Sequence, residues 1–242
     1  MQRILFSALI AFGSLGVVAA PIPKDKELEP PPATDKQREQ AQDNLKQILL
    51  AMHNHESALG HLPGDIPNAK GKKPLLNWRV RLLPYIDDDG AELYKKFALD
   101  EPWDSATNKP LIAEMPKVFA PVRVKANGGH TFYRGFSGNG AFFEPGKKRR
   151  IADITDGTSN TIAVIEAGDA VIWTKPDTDI PFDPKQPLPA LGKDIDGVFH
   201  AAMLDGSVHR IRRDFDAAKM KLAIMIADGD VVDLDCFKPE MK

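Results

Sequence analysis

Apolar positions change period several times along this chain, and each change marks an element. Over residues 34–59, Ala41, Leu45, Ile48, Leu49 and Met52 recur at helical spacing and make one stripe. Thr34 and Gln37 stand three apart at its start, the order of a capping box, and Gly60 and Pro63 stop it. Residues 76–86 form an apolar block around Trp78, Val80, Leu82, Leu83 and Tyr85, interrupted by Arg79, Arg81 and Pro84; a short helix over the core is predicted. Asp87, Asp88 and Asp89 come next and suit the positive end of a following helix. They lack the alternating oxygens and sixth-position glycine of an EF-type calcium loop.

Further on the period shortens. Residues 100–115, with Pro102, Trp103 and Pro110, read as a loop, and residues 118–124 and 131–136 alternate like strands. Gly135, Gly138 and Gly140 lead toward a strand at 141–143; their order and surroundings do not match a dinucleotide-binding loop. Asp153-Ile154-Thr155-Asp156-Gly157-Thr158-Ser159-Asn160 then runs into a strand predicted over 161–167. Asp156-Gly157 reads as a turn, with Asp153, Thr155, Thr158 and Ser159 as hydrogen-bond partners of its backbone. Residues 171–173 continue or pair with that strand, and 174–191 form a Pro-rich loop.

Residues 198–204 and 207–211 predict a hairpin whose Asp205-Gly206 fits a two-residue type I′ turn. That register pairs Leu204 with Ser207, Ala202 with His209 and His200 with Ile211, and sets His200 and His209 on one face as diagonal neighbours. A helix over 214–227, carrying Phe215, Ala218, Leu222 and Met225, and a short strand at 231–232 complete the reading.

The first 33 residues stand apart from this pattern. Arg3, the apolar run 4–18 and Val18-Ala19-Ala20 have the order of an export signal, with cleavage after Ala19 or Ala20. The alternative of an uncleaved anchor is weakened by Ser7, Gly13, Ser14 and Gly16 in a run of marginal length. No cysteine follows for a lipid anchor. Residues 21–33, with Pro21, Pro23, Pro30, Pro31 and Pro32 among charges, predict an extended linker. The expected organisation is therefore a signal peptide (1–20), a linker (21–33) and one domain (34–242), exported to the periplasm, envelope or exterior, with no membrane span after cleavage.

Charge then narrows the partners. Lys and Arg total 32 against 34 for Asp and Glu, a net charge of -2, which gives no reason to expect nucleic acid. Cys236 is the one cysteine, so no intrachain disulfide exists and no Cys/His zinc spacing arises. Lys147-Lys148-Arg149-Arg150, the only basic run, reads as a solvated turn or a docking patch.

Candidate chemistry is sparse. His53 and His55 point to different sides of a helix, cannot share a metal, and read as surface or boundary residues. Asp153, Asp156 and Glu166 are candidate calcium ligands, and His200 with His209 a candidate divalent-metal pair lacking a third ligand. Ser159 sits in a segment without the second glycine of a nucleophile elbow, before a strand rather than a helix. Acid pairs such as Asp156 and Glu166 arise in any chain with this many carboxylates. The expectation is no enzyme and no catalytic residue, with calcium the one cofactor considered.

A series of motifs runs in one order: Asn44-Leu45-Lys46-Gln47-Ile48, Ala51-Met52-His53-Asn54, Trp78 with Leu82-Leu83-Pro84-Tyr85-Ile86, Leu93-Tyr94, and Asp100-Glu101-Pro102-Trp103-Asp104-Ser105. The series continues with Asp153-Ile154-Thr155-Asp156-Gly157-Thr158-Ser159-Asn160-Thr161-Ile162, Trp173-Thr174-Lys175-Pro176 and Asp205-Gly206-Ser207-Val208. Over residues 36–242 this resembles the planctomycete family of pseudopilin-like, prepilin-type proteins of unknown function. The resemblance implies an α+β fold, an N-terminal helix packed on an antiparallel β-sheet with long Pro-rich loops, and an unidentified envelope or secretion-system partner. It carries no catalytic residue. Two departures stand out: an export signal and linker replace the prepilin leader, and the position ten before Asp205 is Ile195 rather than histidine, with His200 nearer. A soluble structural or interaction protein is the reading that follows; a calcium- or metal-binding envelope protein is its alternative.

Overall fold

The computed structural model describes residues 32–71, 73–191 and 197–238. The predicted export signal, and the predicted linker up to residue 31, lie outside them. Helix α1 (Asp35–Leu59) begins as its capping box predicts: Gln37 N–H donates to the Thr34 hydroxyl at 3.2 Å, and Thr34 N–H donates to Gln37 Oε1 at 2.8 Å. It ends on Gly60 at φ 73°, the left-handed cap that glycine adopts without strain. The predicted stripe is buried throughout, and each fully enclosed Leu, Ile or Met on it contributes roughly 1.5–3 kcal/mol.

Two short helices follow. Asn77 caps α2 (Trp78–Leu82), and the Asp87 carboxylate caps α3 (Asp88–Lys96) by accepting from Gly90 N–H at 2.7 Å, the role its acidic run implies. Strand β1 (His130–Arg134) overlaps the predicted 131–136 segment; β2 (Phe136–Ser137) pairs in parallel with β4 (Ile180–Pro181). Strand β3 (Ile162–Ile172) carries the predicted 161–167 strand on through 171–172. With β5 (Val198–Met203) and β6 (Val208–Arg212) it forms an antiparallel four-stranded sheet in the order β1-β3-β5-β6.

Helix α1 covers one face of this sheet, meeting Tyr133, Val164, Ala202 and Leu204. Helix α4 (Ala217–Ile224), started by the Asp216 cap, helps cover the other with Ile165, Phe199, Ala201 and Ile211. The α+β class and the helix-on-sheet arrangement are as expected. Among the described residues no helix is long and apolar enough to cross a membrane.

Four local expectations are corrected. Residues 118–124 form no strand: Lys117–Phe119 is a 3₁₀ turn, Val118 and Phe119 are buried, and the Val122 carbonyl accepts from Gln37 Nε2 at 3.0 Å. Pro116 and Pro121 bracket that segment and deny it two backbone donors. Residues 141–143 make isolated bridges, Ala141 to Met225 and Phe143 to Ser137, instead of a strand. Residues 231–232 are not a strand either; Val232 is buried in the second core layer while Val231 stays 66% exposed.

The fourth correction is the hairpin. Gly206 N–H donates to the Met203 carbonyl and Met203 N–H to the Ser207 carbonyl, both at 2.9 Å, with Gly206 at φ 90°. This is a three-residue turn closed by a left-handed glycine, because Asp205 keeps a negative φ that a type I′ turn forbids. The register shifts by one: His200 pairs with Arg210 and Ala201 with His209. A one-residue shift turns a side chain to the opposite face, so His200 and His209 lie on different sides of the sheet.

Candidate functional site

Three polar constellations account for the chemistry-bearing side chains. The first lies between α1 and the sheet. Glu166 on β3, 3% exposed, accepts at Oε2 from His200 Nδ1 at 2.8 Å and from Arg123 Nη1 at 3.0 Å. Arg123 Nη2 also donates to the Val198 carbonyl at 2.8 Å. His200 Nε2 lies 3.2 Å from Gln42 Nε2, which is a donor. Arg123 Nη1 also lies 3.2 Å from His200 Nδ1, and both nitrogens converge on Glu166 Oε2; with Gln42 donating to Nε2, the contacts fit the tautomer with its proton on Nδ1. Tyr133, opposite Glu166 in the sheet, takes a hydrogen bond from Asn44 Nδ2 at 3.2 Å. Burial, then the Glu166 charge, push the Tyr133 hydroxyl well above its ordinary range.

The second is the Asp153–Ala167 corner. Asp156 accepts from Asp228 N–H (2.8 Å) and Gly229 N–H (2.9 Å), tying the corner to the turn after α4. Asn160 Nδ2 donates to the Asp156 carbonyl at 2.9 Å, and the Thr161 hydroxyl to the Gly157 carbonyl at 3.1 Å. The Thr158 and Thr161 carbonyls take the N–H groups of Asp205 and Leu204, so the corner also grips the hairpin turn. The partners of the turn backbone are thus Asn160 and Thr161, not the Asp153, Thr155, Thr158 and Ser159 side chains expected.

Gly157 is the pivot of this corner at φ 96°, and a Cβ there would lie 3.2 Å from Asn160 Nδ2. Gly157→Val is expected to lower stability by about 1–3 kcal/mol, read as a fall in thermal midpoint. A soluble variant melting with the parent would contradict the structural role.

The predicted metal ligands are mostly dispersed. Glu166 and His200 meet, but in direct contact and shared with Arg123. Asp153 closes a small turn with Arg150, whose N–H bond to it holds its carboxyl below the usual range. Asp156 is occupied as described, and His209 faces away beside Ser207, 3.1 Å from its hydroxyl. Burial lowers the His209 pKa. Among the described residues no three His, Cys, Asp or Glu side chains are grouped so as to hold a metal. His55, expected at a boundary, is 1% exposed; its Nδ1 contacts the His61 carbonyl at 3.0 Å and its ring meets His61 and Tyr85 edge-on. His53 reaches the Leu204 carbonyl at 2.7 Å.

The third constellation was not foreseen. Arg79 is 0% exposed, donates from Nε (3.0 Å) and Nη2 to the Tyr133 carbonyl, and gives Nη1 to Asn77 Oδ1 at 2.5 Å. Asp179, 3.9 Å from Arg79 Nη2, accepts from Trp78 Nε1 and from Gly135 N–H. Asp65 accepts from Trp78 N–H (2.9 Å), Asn77 Nδ2 (3.1 Å) and Asp177 N–H (2.9 Å). Burial lowers the Arg79 guanidinium to about 10, opposed by Asp179 and Asp65; it remains charged near neutrality. Burial first, and then the Asp179 charge, push Asp65 up to about 7. The sequence signal for this group was an arginine inside an apolar helix, and for the first group another arginine inside an alternating segment.

Above Asp65 and Asp179 opens a cleft of about 270 Å³ between the 61–74 loop and the 142–149 loop. Phe142 and Phe143 line it on one side, and Arg81, Lys147, Lys148 and Arg149 also face it. The basic run is thus in part a cleft rim and not simply a solvated turn.

The raised Asp65 pKa has a consequence for stability. An unfolded aspartate ionises near 3.8, whereas the folded one holds its proton to about 7. Between these values the unfolded chain binds fewer protons, so this group's contribution, full below about pH 4, is lost as pH rises through about 7. Its slope reaches at most ~1.4 kcal/mol per pH unit. Asp65→Asn should flatten the profile; the check is the difference in urea midpoint between parent and variant at several pH values from about 4 to 8. Parallel profiles would count against it.

With this geometry in view, comparison with known proteins is brief. A family model described as a protein of unknown function (DUF1559) matches residues 37–135, so the chain is similar to that family from α1 through β1. No curated protein and no solved structure matches.

Proposed function

We propose that this chain is an exported, non-enzymatic interaction module of the cell envelope, with a pseudopilin-like domain in which α1 is laid along the sheet. The observation that carries the reading is the cleft. Its floor carboxylates each accept internal N–H bonds and serve to hold loops, its inner wall is formed by the buried Phe142 and Phe143, and its rim presents cations to the outside. Such a surface is suited to binding and offers no nucleophile paired with a base. The export pattern at the N-terminus and the similarity to a family of unknown function are consistent with it.

The test places a photo-crosslinking residue at Lys148 on the rim, or at Lys46 on exposed α1, in the source cell. The expected result is a chain beginning near residue 20 or 21, recovered with the envelope, and one defined crosslinked species from position 148 alone. Retention of Met1 in a cytoplasmic chain, or equal crosslinking from both positions, would overturn the reading.

A further inference from the structure

We infer that the cleft between the 61–74 and 142–149 loops binds a small organic carboxylate, with Arg81 taking the anionic group and Phe142 and Phe143 its apolar body. This rests on the cleft identified above as the interaction surface and gives its occupant a chemistry.

The first observation is the state of Arg81. It is half-buried, its Nε is enclosed without an acceptor, and Nη2 reaches only the Asp65 carbonyl at 3.5 Å. No carboxylate comes within ion-pair distance of it among the described residues. Arg79, two positions earlier, shows the contrast: it too is desolvated, but three of its nitrogens have acceptors and Asp179 is beside it. Asp65 and Tyr94 act on it only through space, so this partly desolvated guanidinium is an under-satisfied donor set, and burial lowers its pKa.

The second observation is the balance of charge on the opposite rim. Among the described residues Glu144 is the one carboxylate bonded to both Lys147, at 2.6 Å, and Arg149. Lys148 makes no ion pair among the described residues, and Arg149 Nε has no acceptor. One anion therefore serves two cations there, with a third unpaired.

The third observation is the floor, which argues against a cation as ligand. The Asp65 and Asp179 oxygens are directed at N–H donors of Trp78, Asn77, Asp177 and Gly135. The planar fork of a guanidinium matches a carboxylate, and apolar walls favour a ligand whose acid group sits on a hydrophobic body.

The purified protein is titrated with 3-phenylpropionate, with its neutral amide, and with the blocked dipeptide acetyl-Phe-Asp-amide, following backbone amide NMR signals. The acid is expected to shift signals of both cleft loops and to saturate below about 10 mM, with the amide at least about tenfold weaker. Arg81→Gln should weaken the acid about tenfold. Lys148→Ala, at an exposed position and so without effect on folding, should weaken it about threefold. Tighter binding of the free acid supports the inference; tighter binding of the dipeptide would overturn the small-molecule occupant in favour of a peptide side chain. No shift in the cleft loops, equal binding of the amide, or undiminished binding by both variants would overturn it. If the acid fails to bind while the Lys148 crosslink persists, only this inference falls. If the acid binds and the crosslink is absent, only the interaction-module reading falls.

Discussion

Glu166→Ala is expected to lower the unfolding free energy by about 3–5 kcal/mol, one of the two largest effects of any single change in this protein. The carboxylate is the common acceptor for Arg123 and His200, whose side chains are 0% exposed. Its removal takes from the buried Arg123 guanidinium the carboxylate it shares with His200, and leaves the imidazole N–H without that acceptor. Water cannot easily replace either contact, because α1 closes the site through Gln42 and Asn44. Three distant segments also lose their common tether: the 120–128 loop, β3 and β5. For a domain of this size the loss corresponds to a thermal midpoint roughly 10 °C lower. Glu166→Gln keeps the shape and one acceptor, and should fall between alanine and the parent. Combining Glu166→Leu with Arg123→Met removes both charges and should recover part of the loss, the orphaned His200 N–H accounting for the remainder. Equal midpoints for parent and Glu166→Ala would show that the trio contributes nothing.

Arg79→Met should produce a loss of similar size, about 3–5 kcal/mol, by a different route. Here the guanidinium is the hub: the Tyr133 carbonyl loses the two N–H groups of the fork, Asn77 Oδ1 keeps the backbone N–H of residue 79 but loses Nη1, and Asp179 loses its neighbouring cation. Methionine replaces the apolar stem, so the deficit is polar rather than a cavity. Lysine should rescue little, since one ammonium cannot span the two acceptors met by the planar fork. A local signature accompanies the loss. Arg79 lies 4.6 Å over the Trp78 ring, which stacks on Phe143 at 5.1 Å, so near-ultraviolet circular dichroism should change even below the unfolding transition. Unchanged aromatic signal and an unchanged urea midpoint would refute the hub role.

Much of the frame was legible in the residues. Helix α1, its capping box and its glycine stop follow from local spacing, because each contact lies within four positions in the chain. The same holds for the Asp87 cap, while β3 and the β5–β6 hairpin show in their apolar runs and in the Asp205-Gly206 turn between the last two. The hairpin register was not legible. Asp-Gly is compatible with a two-residue and a three-residue turn, and the choice rests on which face of β6 is buried. Once Ile211 packs beside Phe199 on the face away from α1, His209, two positions earlier, lies on that face, while His200 stays with Ala202 and Leu204 on the α1 face. The expected histidine pair vanishes for that reason alone. Strands at 118–124, 141–143 and 231–232 were misread because alternation records burial, and buried loops alternate too.

The Asp153–Ala167 corner shows the division most clearly. Its sequence determined a turn at Asp156-Gly157 entering a central strand, since glycine there adopts a φ that other residues resist. What Asp156 and Asn160 hold was decided by the tertiary fold, because their partners lie in the turns at 228–229 and in the corner's own backbone. The same is true of Arg79, Arg123, Asp65 and Asp179. Each looks like an ordinary charge in the chain, and only long-range packing removes it from water and gives it a partner. Arg81 is the exception: packing removes it partly from water and, among the described residues, leaves its charge facing the cleft with no carboxylate at ion-pair distance.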